Sequence, residues 1–223
     1  MTCPAHEIVS AMRMLDRKGL NRGASGNISL RCQGEGHDGF WITPSGIPAG
    51  ELTADDIVRV DASGRVHGRW RASSEWRFHR DVLAARADIS ALVHTHSIHA
   101  TAFAICRQPI PAAHYMVAAA GGTEIPCTAY AVFGSQALSE SILAALGTRY
   151  QACLMANHGM LAGGASLSRA LWLAEEVETL AHQYALACRI GRPQILDAAA
   201  MKAVHAGFAG YGPESITRTD PVE

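Results

Sequence analysis

The feature that most restricts the fold of this chain is an alternation of short β-strand patterns, each ended by a turn signal, with longer helical patterns. Strand patterns occur at 28–30, 40–42, 57–61, 65–67, 90–96 and 153–156, and the third and fourth flank a turn that is typical of a hairpin. Helical spacing of apolar residues is found over 6–18, from the serine pair at 73–74 to about 86, over 98–106, between 135 and 147, and from 167 to near 191. Hairpins mixed with helices predict an α/β or α+β domain with a largely antiparallel sheet.

Length and composition indicate one folded domain. The 223 residues fall within the range of a single domain, and we expect one domain over 1–213 followed by a flexible tail over 214–223. Hydrophobic residues make up 48% and charged residues 17%, which supplies a core and excludes a disordered chain. The net charge of −1 provides no global field for a nucleic acid or an anionic membrane, so any anion must be bound by a local site.

The sequence also predicts the compartment. Charged residues interrupt the first twenty positions, which argues against a signal peptide, and no apolar run is long enough for a membrane-spanning helix. The six cysteines are widely scattered, without the dense spacing of a secreted disulfide scaffold. We therefore expect a cytoplasmic protein with reduced thiols.

A histidine pair on a predicted strand is the sharpest local signal. Residues i and i+2 of a strand project from the same face, so His94 and His96 can reach one ion. Imidazole nitrogen is a good zinc ligand, and the alternative is a pair of histidines exposed on an edge strand. His158, after an apolar strand and before a glycine, is a candidate third ligand, although by itself it is also typical of an ordinary loop histidine.

A serine pair and an acidic residue mark the predicted start of the second helix. Ser73 or Ser74 is expected as the N-cap and Glu75 as a first-turn carboxylate, which is an ordinary way to begin a helix. The functional alternative is a phosphate bound by hydroxyl and backbone N–H groups beside a carboxylate that acts as acid or base. Glycine, amide and hydroxyl groups elsewhere in the chain would complete such a pocket: Gly26, Asn27, Ser45 and Gly46. Neither a GxxxxGK[ST] loop nor a GxGxxG motif that opens a helix is present, so a nucleotide is not suggested.

Several other reactive side chains receive structural interpretations. Tyr115 lies in an apolar run and is expected to be a half-buried core aromatic. Cys127 and Cys153 show no activating histidine or basic residue, so a nucleophilic cysteine is not expected. Histidines without a partner by spacing are assigned structural roles: His6, His37, His67, His79, His99, His182 and His205.

In combination, these motifs resemble the class II aldolase/adducin-head family. Their order and spacing hold from about residue 6 to about 190, and they are Gly26-Asn27, Thr43-Pro44-Ser45-Gly46, Ser73-Ser74-Glu75, His94-Thr95-His96, His114-Tyr115-Met116 and Asn157-His158-Gly159. The resemblance implies the family's fold, a three-layer α/β/α arrangement in which helices flank a largely antiparallel central sheet. Two positions depart from the family pattern: Ala72 stands where many relatives have proline, and Ser45 replaces a common threonine but keeps the hydroxyl.

The resemblance also implies roles for individual residues. His94, His96 and His158 would bind a catalytic zinc ion, with Mn²⁺ or Co²⁺ as other candidates, and Glu75 would act as acid/base and touch the metal when no substrate is bound. The substrate phosphate would be held by Gly26, Asn27, Ser45, Gly46, Ser73 and Ser74. Tyr115 would reach the active site of a neighbouring subunit in a C4 homotetramer. Phe133 and Tyr211 would line the aldehyde side.

The implied reaction is the cleavage of a small phosphorylated sugar, a ketose 1-phosphate. L-Fuculose 1-phosphate is the first candidate, with dihydroxyacetone phosphate and L-lactaldehyde as products. Zinc would stabilise the enediolate left when the C3–C4 bond breaks, Tyr115 would take the proton of the C4 hydroxyl, and Glu75 would return a proton to C3. The chain has only two lysines, neither in a buried-looking motif, which agrees with metal rather than Schiff-base chemistry.

Other members of the family remain as alternatives. Aldolases for 5-deoxyribulose 1-phosphate or 5-methylthioribulose 1-phosphate would share the phosphate and zinc ends and differ only at the aldehyde end. Ribulose-phosphate 4-epimerases would share the zinc and the retro-aldol step, but they typically carry aspartate followed by threonine around the position of Glu75. Sugar-acid phosphate decarboxylases, dehydratases and a non-catalytic module like the adducin head complete the set. The adducin head typically lacks the zinc histidines.

Overall fold

The fold is seen in a computed structural model, which describes residues 4–32 and 38–208. The helices of this part of the chain are α1 (Pro4–Arg17), α2 (Trp76–Ala85), α3 (Ile98–Ile105), α4 (Gln136–Leu146), α5 (Leu167–Ile190) and α6 (Ala198–Phe208). Its strands are β1 (Asn27–Arg31), β2 (Phe40–Ile42), β3 (Val58–Val60), β4 (Val66–His67), β5 (Ala91–Thr95), β6 (Ile110–Pro111), β7 (Glu124–Ile125), β8 (Ala152–Met155) and β9 (Gly159–Gly164). Two 3-10 turns cover Ala54–Asp56 and Tyr115–Ala120.

The central sheet brings distant parts of the chain to one edge. Seven strands are ordered β4-β3-β2-β1-β5-β9-β8, with every neighbouring pair antiparallel. Because β1 and β9 run opposite to β5 on its two sides, the end of β5 meets the beginnings of both neighbours. Asn27 accordingly lies opposite His94, and Met160 lies opposite Thr95.

Helices cover both faces of this sheet. Along β5, Ala91 and Val93 belong to the apolar core shared with α1, α3 and α5, whereas Leu92 belongs to a second core shared with α2 and α4. This alternation follows from the two-residue period of a strand and makes every central strand apolar on both sides. The expected three-layer α/β/α fold with an antiparallel central sheet is confirmed.

Strand β9 is an element that the sequence patterns did not predict. Its sequence is GMLAGG, and glycine weakens a strand, yet all six residues are buried. A Cβ at Gly163 would lie 2.9 Å from the Ile89 side chain, and one at Gly164 would lie 2.7 Å from the backbone nitrogen of Ala170. The glycines therefore allow a close approach of neighbouring chain segments that a larger residue would prevent. Helix α6 and the hairpin of β6 and β7 were also not predicted.

The expected serine cap of α2 is wrong. The N-cap is Glu75, and no side chain caps the helix. The chain enters the helix one residue after the serine pair, so the hydroxyl of Ser73 accepts a 3.3 Å hydrogen bond from the backbone N–H of Glu75, ahead of the first helical turn. Both serine hydroxyls are thus left outside the helix.

Three further expectations concern cysteines, membranes and the tail. Five cysteines in the described part of the chain are free thiols, and burial raises the pKa of Cys127 and Cys153, which opposes a nucleophilic role at neutral pH. Among the described residues, no helix combines the length and the apolar character needed to cross a membrane. The expected tail at 214–223 lies outside the described residues.

Candidate active site

Three histidines meet at the edge where β5 ends and β9 begins. One ring nitrogen from each of His94, His96 and His158 lies within 4.8 Å of the other two, and the Nε2 atoms of His94 and His96 are 3.0 Å apart. His94 belongs to β5, His96 follows the end of that strand, and His158 directly precedes β9. Adjacent antiparallel strands therefore direct three imidazoles to a common point.

Backbone contacts orient this cluster. Nδ1 of His94 lies 2.8 Å from the carbonyl oxygen of Met160, so Nδ1 donates to this carbonyl and Nε2 faces the cluster. Gly159 leaves room for the rings, since a Cβ there would lie 2.4 Å from the carbonyl oxygen of Thr95 and 2.9 Å from Cδ2 of His96. The glycine after His158 is thus a packing requirement of the histidine cluster.

The carboxylate of Glu75 faces the same point. Its Oε2 is 3.2 Å from Nε2 of His94, and its Oε1 is 3.2 Å from Nε2 of His158. Oε1 is buried and has no hydrogen-bond partner. Burial opposes ionisation of Glu75, but the neighbouring His94 and His158 and a hydrogen bond from Asn27 together hold its pKa well below the usual range. An ionised carboxylate with a free lone pair beside three imidazoles is a donor set that fits a divalent cation.

The protonation states of the imidazoles suit metal binding. Burial, together with the charge of neighbouring His94, lowers the pKa of both His96 and His158 to about 4. Neutral imidazole is the form that binds a metal, so protons do not compete for these two rings near neutral pH.

A cavity of about 340 Å³ opens beside the histidines. Its lining includes His96, His158 and Glu75, and it also includes all six residues expected to hold a phosphate: Gly26, Asn27, Ser45, Gly46, Ser73 and Ser74. The aromatic residues Tyr130 and Phe133 are 56% and 66% exposed and line the same cavity. The volume is that of a small-molecule site.

Two tyrosines singled out in the sequence lie elsewhere. Tyr115 is 47% exposed and stacks on the ring of His114 at 4.7 Å, so it is not a core aromatic, and it is not among the residues that line the cavity. Tyr211 lies outside the described residues.

Three residues near the site were not identified from the sequence. Tyr130 and Asn157 line the cavity, and the side-chain oxygen of Asn157 accepts a 2.9 Å hydrogen bond from Nε of Arg107. Asn157 has a φ of 54°, and an asparagine before a glycine is the signal that could have indicated this left-handed turn. The third, His79, is fully buried and contacts Asn27, which no sequence spacing could indicate.

Comparisons with known proteins agree with this geometry. Residues 6–185 match the model of the family described as "Class II Aldolase and Adducin N-terminal domain". The chain is 46% identical to the 5-methylthioribulose-1-phosphate/5-deoxyribulose-1-phosphate aldolase of Rhodospirillum rubrum, covering 97% of this chain and 96% of that protein. It is 44% identical to the L-fuculose phosphate aldolase of Escherichia coli, covering 93% and 95%.

A solved structure gives the same result for the fold. The structure of an L-fuculose 1-phosphate aldolase superposes with a TM-score of 0.87 at 36% identity and covers 92% of this chain and 96% of its own. The family match spans most of the chain, and the alignments to the aldolases named here cover nearly the whole length of both proteins. The chain therefore belongs to the class II aldolase and adducin family and is an aldehyde-lyase.

Proposed function

We propose that this chain is a metal-dependent aldolase that cleaves a ketose 1-phosphate reversibly to dihydroxyacetone phosphate and an aldehyde. The observation that carries the proposal is the meeting of three imidazoles and the Glu75 carboxylate in a cavity that also presents serine hydroxyls. Metal ligands, an acid/base and neutral phosphate donors are the groups that this cleavage requires.

The residues of the site divide into those that hold the metal and one that moves a proton. His94, His96 and His158 would hold the ion, and zinc is our first choice because the set is rich in imidazole nitrogen. A bound divalent cation supplies Lewis acidity, which stabilises the negative charge left on the substrate when the carbon–carbon bond breaks. Glu75 is ionised in the free protein, and this is the form that removes the C3 proton in the direction of synthesis. Cleavage is the reverse of this step, so the complex with the ketose 1-phosphate must carry a protonated Glu75, which gives its proton to C3 and is left ionised.

The phosphate would be held by neutral donors. The hydroxyls of Ser45, Ser73 and Ser74 line the cavity, and the two serines before α2 are not used as helix caps. Hydroxyl and backbone N–H groups can bind phosphate oxygens, and no lysine or arginine is among the described residues that line the cavity.

The role proposed for Tyr115, taking the proton of the C4 hydroxyl, requires that subunits assemble. Because its ring is exposed and lies outside the cavity of its own subunit, it would act in the cavity of a neighbouring subunit. We therefore propose a C4 homotetramer whose active sites lie between subunits.

The aldehyde side would be formed by aromatic residues. Phe133 lines the cavity with Tyr130, and an apolar wall suits a substrate that ends in a methyl group. L-Fuculose 1-phosphate is our first candidate. A 5-methylthioribulose or 5-deoxyribulose 1-phosphate is the second, favoured by the 46% identity to the aldolase of Rhodospirillum rubrum, and all three sugars end in a methyl group.

The test is release of dihydroxyacetone phosphate by the zinc-loaded protein with and without chelator. The substrates are L-fuculose 1-phosphate, 5-deoxyribulose 1-phosphate, 5-methylthioribulose 1-phosphate and ribulose 5-phosphate, compared by kcat/KM. We expect chelator-sensitive release that is lost in His96→Ala and kept in His67→Ala, a control at an exposed histidine that contacts Asp61. Isomerised ribulose 5-phosphate without triose phosphate would replace the proposal with an epimerase. Absence of turnover with all four sugars would refute the proposal.

A further inference from the structure

A buried chain of hydrogen bonds lies behind Glu75. The ring of His79 joins two side chains of β1: its Nδ1 is 2.6 Å from the hydroxyl of Ser29, and its Nε2 is 2.5 Å from the side-chain oxygen of Asn27. The Asn27 amide nitrogen in turn donates to Oε2 of Glu75 at 2.9 Å and to the hydroxyl of Ser73 at 3.1 Å. All five residues are buried.

The direction of every bond in this chain follows from the orientation of the Asn27 amide. Its nitrogen faces Oε2 of Glu75 and the hydroxyl of Ser73, and its oxygen faces Nε2 of His79. The oxygen of Asn27 only accepts, so Nε2 of His79 must carry the proton. Nδ1 then has only a lone pair and accepts from the hydroxyl of Ser29. Burial lowers the pKa of His79 to about 3, in agreement with a neutral ring that has a single proton.

The same hydrogen bonds decide whether the hydroxyl of Ser73 donates or accepts toward the cavity. Its hydroxyl oxygen accepts from the Asn27 amide at 3.1 Å and from the backbone N–H of Glu75 at 3.3 Å. With both lone pairs used, the hydroxyl hydrogen is left to donate, and Ser73 lines the cavity. A donor is the group that a phosphate oxygen requires.

We propose that His79 is a positioning residue, whose single proton on Nε2 holds the Asn27 amide in the orientation that serves both Glu75 and Ser73. The importance for catalysis rests on the proposed function, because it treats Glu75 as the acid/base and Ser73 as a phosphate ligand. With the amide reversed, an oxygen would face the carboxylate of Glu75, and the hydroxyl of Ser73 would turn its hydrogen back to the protein. One buried histidine thus couples proton transfer to phosphate binding.

The tautomer can be measured without any activity. In ¹⁵N-labelled histidine spectra of the whole protein, with His79 assigned by comparison with His79→Gln, we expect a neutral ring with the proton on Nε2 and a hydrogen-bonded Nδ1. A proton on Nδ1, or an imidazolium near neutral pH, would overturn the proposal. This measurement is independent of the substrate, so it distinguishes a failure of this inference from a failure of the proposed aldolase activity.

Two neutral amide variants separate positioning from packing. The side-chain amide of His79→Gln can place a donor near the position of Nε2 and keep the bond to Asn27, whereas His79→Asn reaches only the position of Nδ1, toward Ser29. Both lose the stacking of the imidazole on Phe78, where the centroids are 4.5 Å apart, so their stabilities are a matched comparison. We expect His79→Asn to lower kcat/KM about 10- to 100-fold, through both a lower kcat and a higher KM, and His79→Gln to restore most of it.

Zinc content of both variants should equal that of the wild type, because the three metal histidines are unchanged. Equal activity of the two variants, or a loss that follows zinc content or melting temperature, would refute the positioning role. If His79→Asn does not fold, Ser29→Ala supplies the test, since it removes the hydroxyl that donates to Nδ1 and should lower kcat/KM in the same direction by a smaller factor. Wild-type kinetics in Ser29→Ala, together with a His79 proton that has moved from Nε2 to Nδ1, would contradict the proposal.

Discussion

Replacing Gly159 by alanine tests the link between sheet packing and the proposed metal site. The new Cβ would lie 2.4 Å from the carbonyl oxygen of Thr95, 2.9 Å from Cδ2 of His96 and 3.2 Å from Cε1 of His94. Ordinary contacts between such atoms are about 3.5 Å, so the backbone of β5 or β9 must move by about 1 Å. The obstructing atom is backbone oxygen, which has no side-chain rotation by which to escape.

The size of the effect on stability and zinc affinity depends on which residues must move. Overpacking of a dense core typically costs about 1–3 kcal/mol, and the residue pushed aside, Thr95, lies between two of the three imidazoles. A loss of ligand alignment of this kind costs about 10- to 100-fold in metal affinity. We therefore expect Gly159→Ala to lower both the melting temperature of the metal-free protein and the affinity for zinc.

Competition with a chromophoric chelator measures the zinc affinity, and thermal unfolding of the metal-free protein measures stability. Gly50→Ala is the matched control, because a Cβ at Gly50 meets nothing within 4 Å and its φ is not in the left-handed region. The control should bind zinc as the wild type does and be as stable or slightly more stable. Wild-type zinc affinity in Gly159→Ala would show that the strand edge does not set the ligand geometry, and the reasoning would fail.

Three further predictions concern the acid/base, the subunit contact and pH. Glu75→Gln should lower kcat about 100- to 10,000-fold while the three histidines still retain zinc, and an unchanged kcat would remove Glu75 from proton transfer. Tyr115→Phe should lower turnover with zinc content intact, and unchanged turnover would exclude its proposed role. Burial lowers the pKa of His79 to about 3, so the unfolded chain binds more protons below about pH 6.5, and unfolding free energy must fall as pH falls. The melting temperature of the metal-free protein should therefore fall more steeply from pH 7 to 5 than that of His79→Gln; equal slopes would contradict a neutral, buried His79.

The histidine pair could be read from the sequence because its geometry is local. His94 and His96 are two positions apart, and the two-residue period of a strand places them on the same side without any knowledge of the fold. The approach of His158 to this pair depends instead on β9, which pairs with β5. The sequence did not predict β9, because its glycines are unfavourable in a strand. Strand propensity describes how well a residue type fits an ordinary half-buried strand. The close neighbours of β9 exclude larger side chains, so glycine is needed there despite its low propensity.

The hydrogen-bond chain through His79 could not be predicted for a different reason. Its bonds join residues 46 to 52 positions apart, and each is a directed contact between side chains whose approach depends on how α2 packs against β1. Spacing patterns carry no information about such pairs. A single sequence also does not distinguish a histidine that positions another side chain from one that simply fills a place in the core.

The absent serine cap connects the failed prediction to the chemistry of the site. A serine that caps α2 would direct its hydroxyl oxygen to the first helical turn. Here Glu75 is the N-cap of α2, and Ser73 lines the cavity, where we propose that its hydroxyl donates. A carboxylate at a helix N-terminus is also stabilised in its ionised form by the helix dipole, in the same direction as the Asn27 hydrogen bond. Placing Glu75 at the cap therefore gives up some helix stability, and it leaves the carboxylate that we propose as acid/base and the Ser73 hydroxyl beside the histidine cluster.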